Sequence, residues 1–287
     1  MPADLHCHTK LSDSSMGIDD LIVLAQKRGI TTIAITDRDC QAGTVRGKII
    51  GERRGITIIP GVEISAYDSK REKNVEILCY LSDSPDRLEG LCHRNVVARK
   101  KASQLMTLKI ARKYPITPEL VLKCATGSTA VFEQHIMHAL LECGMTDKVY
   151  GELYHELFSP ESPDNVLVKV NYPEPIEVIE AIHEAGGIAV LAHPGATDSF
   201  ELLEELASNG LDGVEVWHPE NTPEQQEMLQ KFAKANSLLA IGGTDFKGMY
   251  SKKTISIGDC ATPDSDLKAL MSYKTKMKKR KTATENK

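Results

Sequence analysis

His6 and His8 stand two residues apart in an apolar opening segment, Ala3-Asp4-Leu5-His6-Cys7-His8. In a strand, side chains at i and i+2 point to the same face, so two imidazoles on that face can grip one metal ion. One H-x-H pair is weak evidence. It gains weight from four later clusters: Thr36-Asp37, Gly61-Val62-Glu63, Ala192-His193-Pro194 and Gly243-Thr244-Asp245. Each sits where a strand-like run gives way to a loop. His, Glu, His and Asp delivered singly at strand ends describe a metal centre assembled by a barrel.

The elements that must position them alternate. Strands are expected at 3–7, 31–36, 56–59, 75–81, 188–192, 214–217 and 238–241, with another at 254–257. Helices are expected at 19–28, 44–54, 174–185, 200–208 and 223–235. Continuous apolar strands separated by helices imply a parallel sheet covered on both faces. Between about 85 and 160 the rhythm changes to helices alone: 87–114, 118–124, 131–143 and 147–158. The reading is α/β, a (β/α) barrel of about seven strands with a helical insertion after the fourth. It divides into 1–84 and 161–270 as barrel, 85–160 as inserted helical cap, and 271–287 as a tail. Active sites of such barrels lie at the C-terminal strand ends, where His8, Asp37, Glu63, Glu76, His193 and Asp245 are expected.

Composition is that of an ordinary globular chain, 41% hydrophobic and 26% charged over 287 residues. No apolar run approaches the ~20 residues that span a bilayer. No signal-like stretch precedes the first motif, and the seven cysteines are scattered without a C-x-x-C pair, so a reducing cytoplasm is expected. The total charge is −5; residues 274–287 contribute +6, leaving −11 elsewhere. That basic end reads as a disordered, solvated tail, or else as a handle for RNA or another polyanion.

Asp4-Leu5-His6-Cys7-His8-Thr9 with Ser12-Asp13 resembles the opening motif of the PHP (polymerase and histidinol phosphatase) family. Thr36-Asp37, Pro60-Gly61-Val62-Glu63-Ile64-Ser65, Val190-Leu191-Ala192-His193-Pro194-Gly195 and Gly242-Gly243-Thr244-Asp245-Phe246 resemble its later motifs in order. Glu133-Gln134-His135-Ile136-Met137-His138-Ala139-Leu140 resembles the cap segment of the small nucleotide-directed members. The resemblance implies a distorted seven-stranded TIM-like barrel that hydrolyses phosphate esters with two or three divalent metals. It implies that His6, His8, Glu63 and Asp245 hold the first metal. Glu63 bridges to a second, completed by His193 and position 76, and Asp13 with positions 38 and 247 forms a third site.

The chain departs from the pattern at four places. Arg38 stands where Thr-Asp-His is usual, Lys247 where Asp-x-His is usual, Glu76 in place of a His and Gln134 in place of an Arg. Both cations fall on the third metal site, so that site is expected to be lost. Arg38 and Lys247 then occupy its place with Asp13 as counter-charge, supplying positive charge and hydrogen bonds to a phosphate. Two ions are expected, manganese by preference because Glu76 is a hard oxygen ligand, with iron or zinc as alternatives. His218, after a strand, is a candidate acid. Arg99 and His135, with Gln134 nearby, are candidates for holding a second phosphate. Structural roles stand beside these. Asp13 suits an Asx-turn, Arg38 and Lys247 suit ion pairs with Asp13 or Asp39, Glu76 suits a salt bridge and Arg99 a solvated helix face.

The function implied is a phosphoesterase acting on a small phosphorylated substrate, with no membrane involved. A nucleotide such as a 3′,5′-bisphosphate, the end of a short single-stranded nucleic acid, or a sugar cyclic phosphate would suit. Histidinol phosphate is disfavoured by the helical insertion. The rival from another class is a non-catalytic PHP module that binds phosphate or a partner through an altered site.

Overall fold

The computed structural model describes residues 2–285. β1 (Ala3–Cys7) leads through α1 (Ile18–Lys27) to β2 (Thr32–Ile35), then through α2 (Thr44–Arg54) to β3 (Thr57–Asp68) and β4 (Lys73–Tyr80). Four helices follow: α3 (Glu89–Ala111), α4 (Pro118–Cys124), α5 (Glu133–Glu142) and α6 (Glu152–Phe158). The alternation resumes with α7 (Pro175–Glu184), β5 (Ile188–Leu191), α8 (Pro194–Thr197), α9 (Leu203–Ser208), β6 (Gly213–Trp217), α10 (Pro223–Ala235) and β7 (Leu239–Gly242). α11 (Asp264–Glu285) ends the described chain.

The local signals are plain. α1 buries Ile18, Leu21, Ile22 and Ala25, one stripe at helical spacing, against the sheet. α2 stops at Gly55, whose φ of 70° suits a residue without Cβ. α10 opens on a capping box of Thr222 and Gln225, with Pro223 at its first turn.

The seven strands pair in chain order. β1, β2 and β3 run parallel, as do β5, β6 and β7. The ring is drawn nearly closed between β1 and the residues after β7: His8 N–H donates to Phe246 O at 3.0 Å and Phe246 N–H to His6 O at 3.3 Å. α3 to α6 pack around a separate apolar cluster that includes Ile110, Ile136, Leu140 and Leu157, joined by Tyr250 from beyond β7.

Three expectations are corrected. The sheet is not parallel throughout, because β4 is antiparallel to both β3 and β5. Only four residues join β3 to β4, too few for a crossover. Asp68 Oδ1 accepts from Lys70 N–H at 3.0 Å and Arg71 N–H at 3.3 Å, closing that turn. Glu76 therefore lies in the N-terminal half of β4, which the reversal brings to the same mouth as the C-terminal ends of its neighbours. Second, 254–257 is not a strand. Instead Thr262, further along, makes a single antiparallel bridge to Ala3 at the edge of β1. Third, the segment from 271 does not begin as a disordered tail but as helix α11. Leu270 is fully buried there, and the ammonium of Lys274 reaches Leu81 O and Asp83. The last two residues of the expected tail lie outside the described residues.

Candidate metal centre

His6 ends up inside the barrel mouth because β1 is buried along its whole length. Gly243 lets the chain leaving β7 lie directly against it; a Cβ there would collide with the His6 backbone. Four donor groups converge. His6 Nε2 and His8 Nε2 are 3.2 Å apart. Asp245 Oδ1 is 2.9 Å from His8 Nε2 and 3.6 Å from His6 Nε2. Glu63 offers Oε1 at 3.4 Å from His6 Nε2 and Oε2 at 3.5 Å from His8 Nε2.

This spacing fits a cation. Donors each about 2.1 Å from one ion stand roughly 3.0 Å apart at right angles and 3.4 Å apart at tetrahedral angles. The ligand atoms of His6, His8 and Glu63 all lie within 4.8 Å of one another, and Asp245 Oδ1 falls within the same reach of both imidazoles. The electrostatics agree. Burial works against a charged His6, yet Glu215 and Glu63 outweigh it and push its pKa well above the ordinary imidazole value. Positive charge belongs at this point.

The supporting residues fix each ligand. Glu215, on β6, takes His6 Nδ1 at 3.0 Å and the His193 backbone N–H at 2.8 Å. That holds the proton of His6 on Nδ1 and aims the Nε2 lone pair into the site. Asp37 accepts from Thr9 N–H at 2.7 Å, Thr9 hydroxyl at 2.6 Å and Ser12 hydroxyl at 2.6 Å, tying the loop after β1 to the end of β2. Asp4 does the same for Thr244 and Gly258. His193 and Asp245 both adopt positive φ, 23° and 49°, a strained backbone that the surrounding bonds impose. Glu215 escaped the sequence reading. Its signal was a carboxylate between Val214 and Val216 on a buried strand, with no motif around it.

Arg38 enters from the other side. Its Nη2 is 3.0 Å from Glu63 Oε2, its Nη1 donates to Glu76 Oε1 at 3.1 Å, and its Nε is 3.5 Å from Asp13 Oδ2. The ammonium of Lys247 pairs with Asp245 and lies 3.8 Å from Asp13 Oδ2. Burial would raise the Asp13 carboxyl, but His8, Lys247 and Arg38 outweigh it and hold it at about 2. Burial also works against a charged Arg38, and Glu63, Asp13 and Glu76 more than restore it. His193 Nε2 stands 3.0 Å from Glu63 Oε1, on the face of Glu63 away from the guanidinium. Of the three residues expected around a second ion, Glu63 and His193 are in contact, while the Arg38 guanidinium lies between Glu63 and Glu76, pairing with both.

The mouth opens into a cavity of about 670 Å³ beneath the helical insertion, with Asp13, Arg38, Glu76, His193, Asp245 and Lys247 on its floor. His218 also faces it. Its Nδ1 accepts from Glu220 N–H at 3.1 Å, so the ring proton sits on Nε2, and burial pushes its pKa down to about 3. It is neutral, and so a hydrogen-bond donor rather than a standing acid. Gln134 lies on the wall near Tyr150. Arg99 reaches the wall but is engaged: it donates to Asp39 at 2.8 Å and Ser65 hydroxyl at 2.7 Å, with its guanidinium over the rings of Phe132 and Tyr172. His135 stands behind the wall. Its Nδ1 accepts from Phe132 N–H at 3.1 Å, and burial lowers its pKa to about 4.

A family model, the PHP domain, matches residues 4–172. The chain is 32% identical over 255 residues to the phosphoribosyl 1,2-cyclic phosphate 1,2-diphosphodiesterase of Eggerthella lenta, covering 88% of this chain and 96% of that one. It is 27% identical over 248 residues to a 5′-3′ exoribonuclease of Haemophilus influenzae, covering 85% and 89%. A crystal structure of a metal-dependent phosphoesterase candidate from Bifidobacterium adolescentis superposes with a TM-score of 0.84 at 30% identity, over 94% of this chain and 97% of that one.

Proposed function

The chain belongs to the PHP family, and from that premise we propose that it hydrolyses a phosphate ester of a small nucleotide-like or phosphorylated-sugar substrate in the cytoplasm. The observation that carries this reading is the convergence of His6, His8, Glu63 and Asp245 on one point beside two cationic side chains, at the floor of an open cavity. A cavity of about 670 Å³ suits one nucleotide, a phosphorylated sugar or the end of a short single strand. The relatives named for a sugar cyclic phosphate and for RNA ends bracket that range. All seven cysteines are free, which suits a reducing compartment. Among the described residues no helix is long and apolar enough to cross a membrane.

His6, His8, Glu63 and Asp245 would hold a divalent cation, and their mixed imidazole and carboxylate set suits manganese, with iron or zinc as alternatives. When bound, such an ion supplies Lewis acidity, lowering the pKa of water and drawing charge from a phosphoryl oxygen. The chain's own residues do the rest. Arg38 and Lys247 present fixed cationic donors to phosphoryl oxygens, positioned before substrate arrives. His218 Nε2–H is placed to donate a hydrogen bond at the same floor. The two ions implied by the family pattern need Glu63, Glu76 and His193 to converge, and the Arg38 guanidinium lies between Glu63 and Glu76.

The test is manganese-dependent hydrolysis of three substrates: adenosine 3′,5′-bisphosphate, ribose 5-phosphate 1,2-cyclic phosphate and a 5′-phosphorylated oligoribonucleotide. Asp245→Asn serves as the blank. Turnover of at least one that the blank abolishes is expected. Failure of all three with metal-loaded protein would turn the reading to a phosphate-binding module.

A further inference from the structure

We propose that the Arg38 guanidinium replaces the second metal ion as well as the third, so that this chain binds a single divalent cation. The guanidinium then forms, with Lys247, the cationic wall that receives the phosphate. The phosphate part rests on the function proposed above; the ion count does not.

Four observations carry it. The guanidinium is shared among Glu63, Glu76 and Asp13, at 3.0, 3.1 and 3.5 Å. Two of these belong to the expected second site and one to the expected third. One planar cation therefore lies across both.

Arg38 also has no room to withdraw its backbone. Asp37 before it is held by Thr9 and Ser12. Asp39 after it is held by the Ser65 amide and hydroxyl, Asn95 and Arg99, at 2.8 to 3.0 Å. Arg38 itself bridges to Glu63 in parallel register. Its side chain starts from a fixed point beside the carboxylate it pairs with.

The charge balance agrees. Asp13, Glu63, Glu76 and Asp245 bring four negative charges to the pairs made by Arg38 and Lys247, which bring two positive ones. The excess within this paired set equals one divalent ion. Glu215 lies outside this set, behind His6.

Finally, the first cluster is complete without Glu76 or His193, because its donors already stand 2.9 to 3.6 Å apart. An arginine cannot be deprotonated to make way for a ligand bond, so a second ion would have to displace it against three carboxylates.

The experiment counts ions. Chelator-stripped full-length protein is loaded with Mn2+ alone, passed through gel filtration and measured by elemental analysis, with calorimetry for the number of sites. Wild type is expected to hold one ion per chain. Arg38→His restores a ligand in place of the guanidinium and is expected to hold two or more. If that variant lacks a cooperative melt, Arg38→Gln, which uncovers Glu63 and Glu76, is measured instead with the same expectation. Two ions on wild type would overturn the proposal, and so would one ion on a folded Arg38 variant. One ion without hydrolysis leaves the proposal standing and removes the proposed function; two ions with hydrolysis does the reverse.

Discussion

Glu215 holds His6 Nδ1 at 3.0 Å while its second oxygen takes the His193 amide at 2.8 Å. One buried carboxylate therefore orients the His6 ring on β1 and anchors the backbone of His193 in the turn after β5. Its loss frees His6 to rotate or to change tautomer. Glu215→Ala is expected to weaken Mn2+ binding by roughly 10- to 100-fold, the usual effect of removing such a partner. Calorimetry on folded protein measures it; unchanged affinity would show that packing alone orients His6.

Arg99 and Asp39 form a buried ion pair, with Asn95 and Ser65 completing the network. Removing Arg99 leaves a buried carboxylate without its counter-charge. Arg99→Ala is expected to lose about 3–5 kcal/mol of stability, read as a lower denaturant midpoint. A variant as stable as wild type that instead raises KM would restore Arg99 to the role of phosphate contact.

How much of this was legible varies by residue. The i, i+2 spacing of His6 and His8 and the placement of Asp245 just after β7 point to the cluster directly, because strand periodicity fixes which way a side chain points; Glu63, expected at a strand end, stands inside β3 instead. The reversal of β4 has no local signature in strands expected to stop at 59 and resume at 75; its only trace is the alternation of buried Val62, Ile64 and Ala66 that extends β3. Arg38 was recognised as a departure, but not its reach. Where a long side chain ends depends on carboxylates brought near by other strands, and no local pattern records that. His135 was misplaced for a related reason: a histidine in a cap motif reads the same whether it faces the cavity or closes a helix from behind.

His135 also gives a pH signature. Its folded pKa, about 4, lies below the ordinary value near 6.5 because burial disfavours the charged ring. The unfolded chain therefore takes up the proton first. Stability from this group is intact above pH 6.5, falls as pH drops, and levels off near 4, a loss on the order of 3 kcal/mol. His135→Gln is expected to show a shallower fall over that window. Chemical denaturation at pH 7, 6, 5 and 4 compares the two slopes; parallel curves would mean the ring titrates normally.

Two glycines make opposite predictions. Gly90 lies exposed in α3 with open space where a Cβ would stand. Gly90→Ala should stabilise the chain by roughly 0.5–1 kcal/mol through helix propensity. Gly243 is pressed against the His6 backbone, where the end of β7 meets β1 and the ring is drawn nearly closed. Gly243→Ala must push those segments apart, at a typical overpacking cost of about 1–3 kcal/mol. The same displacement moves His6 relative to Asp245, so Mn2+ affinity should fall together with the melting temperature. Stability lost with metal affinity intact would mean that the closure and the cluster are mechanically independent. Because His6 is itself the residue that a Cβ on Gly243 would strike, the coupled loss is the expected result.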